Sequence, residues 1–353
     1  PIAWIANRNA LLAVAFGAAA VALHIAWRRR GGLHRGLGAV VLLALSLASG
    51  ESGVGAAAYV LAFQLTADTG TWGRRLRGVA PAAALVVVWR LVYDHLGYGA
   101  HGSGLYIDPG ADPLAFALAV AERAPILSLA QWTSAPVDGV SMLPPAASLA
   151  VTAVGVVATV GIAALLWPLL RDRKEARFLA LGSVGALLGP CATMPMDRLL
   201  MFSGVGAAGL LGLLVMAAAE GWRRLPAFGL AAWHGPVAGL LLAVRILASP
   251  FFGYMFAEGE RCAPDDPALA DQTLVFLSGT EFATVYTPTI RLVRGDAPAP
   301  RRVHLLTSQL QANELLREDE HTLIIAPEGG FLAVPLTWLM RTPDQPFEAG
   351  QRV

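Results

Sequence analysis

Residues 38–66 read GAVVLLALSLASGESGVGAAAYVLAFQLT. A helix crossing a bilayer needs roughly 20 apolar residues, with about 17–25 tolerated, so this run is too long for one crossing. Gly50, Glu51, Ser52 and Gly53 interrupt its middle. An ionisable side chain at membrane depth costs about 2.5–3.5 kcal/mol on insertion scales, and glycine beside serine loosens a helix. The pattern predicts two short helices that turn near Glu51, in preference to one tilted helix carrying a buried carboxylate.

Working outward, apolar stretches at 9–27, 79–95, 148–170, 178–196, 199–219 and 226–249 bring the total to eight segments. The composition agrees: 56% of the 353 residues are hydrophobic and only 14% are charged, whereas soluble domains carry about 25% charge. Two cysteines exclude a disulfide scaffold and a cysteine-rich zinc module. Bulk disorder is excluded by the apolar content, and no nucleic-acid partner is expected. The partition of charge matters more than the net +1. Residues 1–250 hold 18 basic and 11 acidic side chains, and residues 251–353 hold 8 and 14. We expect a membrane domain over 1–250 and a soluble tail domain over 251–353.

Arginines set the expected orientation. They cluster at 28–35, 74–77, 171–177 (with Lys174) and 223–224. Eight segments put all four clusters on one side, whereas seven would put the first opposite the rest. The positive-inside rule then places them in the cytoplasm of a multi-pass protein of the cell (inner or plasma) membrane. The exoplasmic side receives Glu51, the loop 96–147, Asp197-Arg198 and the tail. The loop is long for a connector. It begins with a glycine-rich stretch, Gly97 to Gly104, containing His101, and continues through Tyr106, Ile107, Asp108 and Pro109. A helix at 113–131, capped by Asp112, carrying Arg123 and interrupted by Pro125, is expected to lie in the interface and roof the membrane domain.

Ionisable groups near membrane depth are functional candidates: Glu51, Arg90, Asp94, Arg198 and Arg245, with Arg8, His101, Asp108 and Arg123 near the outer face. Arg90 and Asp94, four residues apart, also suit a simple pair on one helix face. Arg245 also suits snorkelling to the surface, and Asp197-Arg198 a solvated helix boundary. Arginine forks match phosphate, and a carboxylate serves as base or metal ligand. A lipid-linked phosphate would put its head at this depth.

Three stretches resemble multispanning C-type glycosyltransferases of the O-mannosyltransferase-like kind. Trp4-Ile5-Ala6-Asn7-Arg8-Asn9-Ala10-Leu11-Leu12-Ala13 resembles the family's "W-(I/V)-x-x-R-x-x-L-L-A" run. Ser49-Gly50-Glu51-Ser52-Gly53-Val54 is similar to its "S-K-E-x-G-(I/V)" element, and residues 196–206 to its "E-R-Y-L-Y-L-P-S-x-G" run. Gly50 replaces the family's lysine, and Leu199, Met201 and Ser203 replace its two tyrosines and proline. The resemblance implies sugar transfer from a polyprenyl-phosphate donor to an unspecified acceptor on the exoplasmic face. Candidate donor-phosphate and cavity residues are Arg8, Glu51, His101, Tyr106, Asp108, Arg123, Asp197 and Arg198. The family's catalytic acid precedes the Trp-Arg run, and the chain begins at Pro1 just before it. No catalytic residue is therefore assigned, and an N-terminal part is expected to be missing. No metal site is expected, and metal dependence stays open. A non-catalytic lipid-binding or assembly protein, or less favourably a transporter, is the alternative.

In the tail, strands are expected at 273–277, 284–293, 302–307 and 321–326, giving a small β-rich or α+β exoplasmic domain. Cys191 and Cys262 both fall near the outer side, where a disulfide can form.

Overall fold

The computed structural model describes residues 8–98, 106–217, 224–257, 261–279, 282–295, 298–308, 312–320 and 322–328. Nine long or medium helices occur up to Phe256 among these: α1 (Arg8–Arg30), α2 (Leu33–Ser49), α3 (Val54–Thr66), α4 (Trp72–His95), α5 (Pro113–Thr133), α6 (Pro145–Asp172), α7 (Lys174–Leu188), α8 (Met201–Ala217) and α9 (Arg224–Phe256). Among the described residues six apolar segments are long enough to cross a membrane: α1, α4, α5, α6, Asp197–Ala217 and Phe228–Ala248. The chain divides into two compact units, residues 1–99 with 105–238, and residues 100–104 with 239–353.

Within the first unit, contacts fix the helix directions. Ser46 Oγ donates to the Ala13 carbonyl, 2.7 Å away, and Trp27 lies over Gly36, so α1 and α2 are antiparallel. Gly50 breaks the path, Glu51–Gly53 form one 3₁₀ turn, and α3 runs back alongside α1. The predicted split of 38–66 is therefore present. Gln64 crowds Gly78, so α4 opposes α3. Tyr59 fills the space over Gly182, and Leu179 abuts Gly206 and Gly209. These contacts set α7 antiparallel to both α3 and α8. All these crossings rest on glycine or alanine, which let backbones approach closely where lipid gives helices no reason to associate.

The directions have an electrostatic result. The arginines of 28–35, 74–77 and 171–177 all stand at one end of the bundle. Glu51, Tyr93, the turn Gly189–Ala192 and the turn Asp197–Leu200 stand at the other. Arg223 lies outside the described residues, and Arg224 opens α9.

Helix α5 departs from expectation. It does not lie flat across its neighbours. Pro125 meets Gly155, Thr159 bonds Ser128 at 2.9 Å, and Trp132 packs with Ile162 and Leu165. Residue numbers rise together on both helices, so α5 and α6 run in the same direction. Its last turn bonds Ser203 through Gln131 and Trp233 through the Thr133 carbonyl. Residues 134–144 then climb back, where the Val137 amide donates to Asp197. An apolar helix packed on α6 through Ile126 and Leu127, both fully buried, is better satisfied inside the bundle than at an interface. Periodicity alone does not distinguish the two placements.

In the second unit, β1 (Thr273–Gly279) pairs in parallel with β2 (Arg302–Ser308), Thr273 opposite Arg302 and Gly279 opposite Ser308. β3 (Asn313–Arg317) and β4 (Leu323–Pro327) form an antiparallel pair. The expected strand at 284–293 is instead helix α10 (Phe282–Arg294). A parallel pair requires a crossover of a dozen or more residues, usually a helix. That requirement outweighs the β-branched content of Thr284, Val285, Thr289, Ile290 and Val293. Thr287 and Arg291, four apart, are its buried residues and mark a helical period. Arg291 donates to the carbonyls of Ala263, Pro264 and Pro298 and to Asp265, tying the entry loop to the exit of α10.

Candidate functional site

The polar end is built around the break after α2. Glu51 is exposed and accepts a hydrogen bond from the Tyr93 hydroxyl on α4. Tyr93 is flanked by Trp89 and Tyr98, with ring centroids at 5.1 and 5.7 Å. One turn earlier on α4, Arg90 donates to Asp94 at 2.9 Å and to Asp108 at 2.5 Å. The expected Arg90–Asp94 pair thus exists, and it recruits a third member from the following loop. The Gly110 amide, followed by the Arg90 guanidinium, holds the Asp108 carboxyl below the usual carboxylate range. The Ile107 amide bonds the Ala192 carbonyl at 2.8 Å, fixing the loop against the end of α7.

Two predicted site residues act as braces. Arg123 Nη1 donates to the carbonyls of Cys191 and Thr193 at 3.0 and 3.1 Å. These belong to the short turn after α7, where helical carbonyls lack intrahelical partners. Asp197 accepts from the Val137 amide at 3.2 Å, and its own amide donates to Asp138 at 2.8 Å. Arg123 thus ties α5 to the turn after α7, and Asp197 ties the returning segment after α5 to the start of α8.

Other predicted residues keep open side chains. Arg8, Tyr106 and Arg198 are exposed. Arg8 opens α1 at the same corner as Glu51, since a Cβ on Gly50 would stand 3.7 Å from Asn9 Nδ2. Arg198 lies one turn before Phe202, whose ring fills the space over Gly17 and Gly55. The structure therefore joins Glu51 to Tyr93 and Asp108 to Arg90, and it puts Arg8 and Arg198 at that end. His101 lies outside the described residues, as does the side chain of Arg245. No cluster of potential metal ligands occurs among the described residues. Cys191 is buried, Cys262 is exposed, and both are free thiols.

Sequence reasoning missed a second polar assembly, at the arginine-rich end. His24, Gln64 and Asp68 are buried. Gln64 contacts His24 at 2.7 Å, and Arg28 Nε donates to Asp68 at 2.7 Å. Turning the Gln64 amide over joins it to Asp68 as well. Burial pushes the Asp68 carboxyl up, but the hydrogen bonds from Arg28 and the Gly70 amide outweigh it, and the net result is a lowered pKa. The signal was present as two four-residue spacings, His24/Arg28 on α1 and Gln64/Asp68 at the end of α3 and just past it.

Comparison with known protein families, curated proteins and solved structures gives no match.

Proposed function

We propose that the chain is a multi-pass membrane transferase of the C-type glycosyltransferase kind, acting on a polyprenyl-phosphate-linked sugar at its Glu51-bearing end. The supporting observation is the placement of two exposed arginines, Arg8 and Arg198, at the end where Glu51 meets Tyr93. A departing lipid phosphate gathers negative charge, and guanidinium groups aimed at developing charge stabilise it. Glu51 is the carboxylate at this corner bonded to a phenol instead of an arginine or an amide, so it is available to orient a sugar hydroxyl. In this reading the arginine-rich end faces the cytoplasm of the cell membrane. The polar end and the tail face the exoplasm.

The test is sugar transfer in proteoliposomes supplied with defined polyprenyl-phosphate sugars. Arg198→Ala and Arg8→Ala should each lower kcat by roughly 10²–10³, the usual loss for a donor serving transition-state charge. Transfer at the wild-type rate in both variants would remove the basis of the proposal.

One observation favours a second reading, a non-catalytic lipid-binding or assembly protein. Arg90, Arg123 and Asp197 are spent on internal bonds, as expected where rigidity matters more than chemistry. In that case lipid phosphate binds at Arg8 and Arg198, but no sugar is transferred from any donor.

A further inference from the structure

A cleft of about 200 Å³ opens between α1, α2, α3 and α4 at the arginine-rich end. Its walls are apolar, formed by Trp27, Leu37, Leu43, Val60 and Pro81, with His24 as the single ionisable group. Small residues create the space: Gly36, Ala39, Gly78 and Ala82 line it. Pro81 has no amide to offer the Arg77 carbonyl, so α4 lacks one rung beside the cleft.

The helix ends at this end of the bundle are strongly basic. Arg28, Arg29 and Arg30 end α1, and Arg35 sits in the first turn of α2. Arg74, Arg75 and Arg77 open α4. Asp68 is the acidic residue of this end between α1 and α4, and Arg28 with the Gly70 amide already engages it. The guanidinium of Arg28 lies 5.5 Å from the centroid of the Trp27 ring, which is itself a wall of the cleft. Arg28 is 93% buried by side chain, from its 7% exposure. Its Nη2 has no hydrogen-bond partner and stands 3.4 Å from a Cβ placed on Gly70. Exposed apolar residues Leu33, Leu37, Trp72 and Leu76 interleave with these arginines, the composition of a membrane–water boundary.

We propose that this cleft is a binding site for an anionic glycerophospholipid. One acyl chain lies against Leu37, Leu43 and Pro81, and the phosphate is held by arginines of the adjoining helix ends. Charge complementarity selects the occupant: an apolar slot alone would take any chain, but seven arginines against one engaged aspartate favour a headgroup of net negative charge. Basic pockets between membrane helices bind such headgroups for this reason. The site lies at the opposite end of the bundle from Glu51, Arg8 and Arg198, and it does not depend on the sugar-transfer reading.

The test uses the full chain, purified in detergent and stripped of lipid. Phosphatidylglycerol, phosphatidylcholine and soluble glycerol phosphate are titrated separately, with native mass spectrometry and thermal unfolding as readouts. Phosphatidylglycerol should be retained and should raise the unfolding temperature, while the other two do neither. Val40→Phe fills the slot from a partly exposed wall position and should abolish the phosphatidylglycerol effect. Arg30→Gln with Arg77→Gln leaves the slot open and should weaken binding roughly 25- to 30-fold, from about fivefold per charge near an anionic lipid. The proposal is overturned if phosphatidylcholine binds equally well. It also fails if glycerol phosphate reproduces the effect, which indicates a simple anion site, or if the double arginine variant binds phosphatidylglycerol as the wild type does.

Discussion

Removing one oxygen atom, by Tyr59→Phe, tests how the bundle is held together. The Tyr59 hydroxyl donates to the Phe202 carbonyl at 2.8 Å and accepts from the Gly206 amide at 2.7 Å. Phe202 and Gly206 are four apart on α8, the pair that a regular helix joins directly. The side chain of α3 thus stands at a rung of α8. In the variant both backbone groups lose a partner in an interior without water. The phenyl ring has little freedom to withdraw, because a Cβ on Gly182 would already lie 2.2 Å from Tyr59 Cδ1. Bonds inside membrane bundles average about 0.6 kcal/mol, which sets a floor of roughly 1.2 kcal/mol for two. Unsatisfied buried groups cost about 1–3 kcal/mol each, which sets a ceiling of roughly 6 kcal/mol. With the ring held in place, we expect a loss of about 2–3 kcal/mol. Equilibrium unfolding in mixed detergent–SDS micelles, followed by circular dichroism, measures it. A variant within about 0.5 kcal/mol of wild type, the ordinary scatter of neutral substitutions, would refute the bridge.

Three further outcomes follow from the same contacts. Asp68 has a lowered carboxyl pKa in the fold, so its contribution is fully present above the unfolded carboxylate value of about 4. That contribution is lost as pH falls through the lower folded value. Melting curves between neutral and acidic pH should show this loss in the wild type and a smaller one in Asp68→Asn. Arg291→Met should destabilise the second unit internally by removing four bonds from a fully buried guanidinium. The expected loss is several kcal/mol, read as earlier proteolysis of residues 261–328 with the helices of the first unit intact. A membrane-impermeant maleimide should label exposed Cys262 and spare buried Cys191. Labelling of Cys262 in intact cells, abolished by Cys262→Ser, is expected if the tail is exoplasmic. Labelling only after lysis would reverse the orientation.

The sequence made some features readable for identifiable reasons. The break at Glu51 was legible because a carboxylate is costly inside a span and the run is too long for one crossing, and the arginine turns were legible because charge marks helix ends. The direction of α5 was not, since it is fixed by Gly155, Thr159 and Ser203, partners far away in sequence. Arg123 and Asp197 looked like ligand residues because the carbonyls and amides that engage them carry no sequence signature. In the tail, β-branched residues concealed α10, where the decisive constraint was the parallel pairing of β1 with β2. The three short resemblances concern Arg8, Glu51 and Arg198, and the structure places these at one end without a direct bond between any two of them.

The doubling back of residues 106–144 has a topological consequence. A segment that leaves one end of a bundle and returns to it does not alter the direction in which the chain continues. Excising it and bridging the gap with a short spacer would open the bundle beside Ser203 and Trp233, yet α6, α7 and α8 would keep their directions.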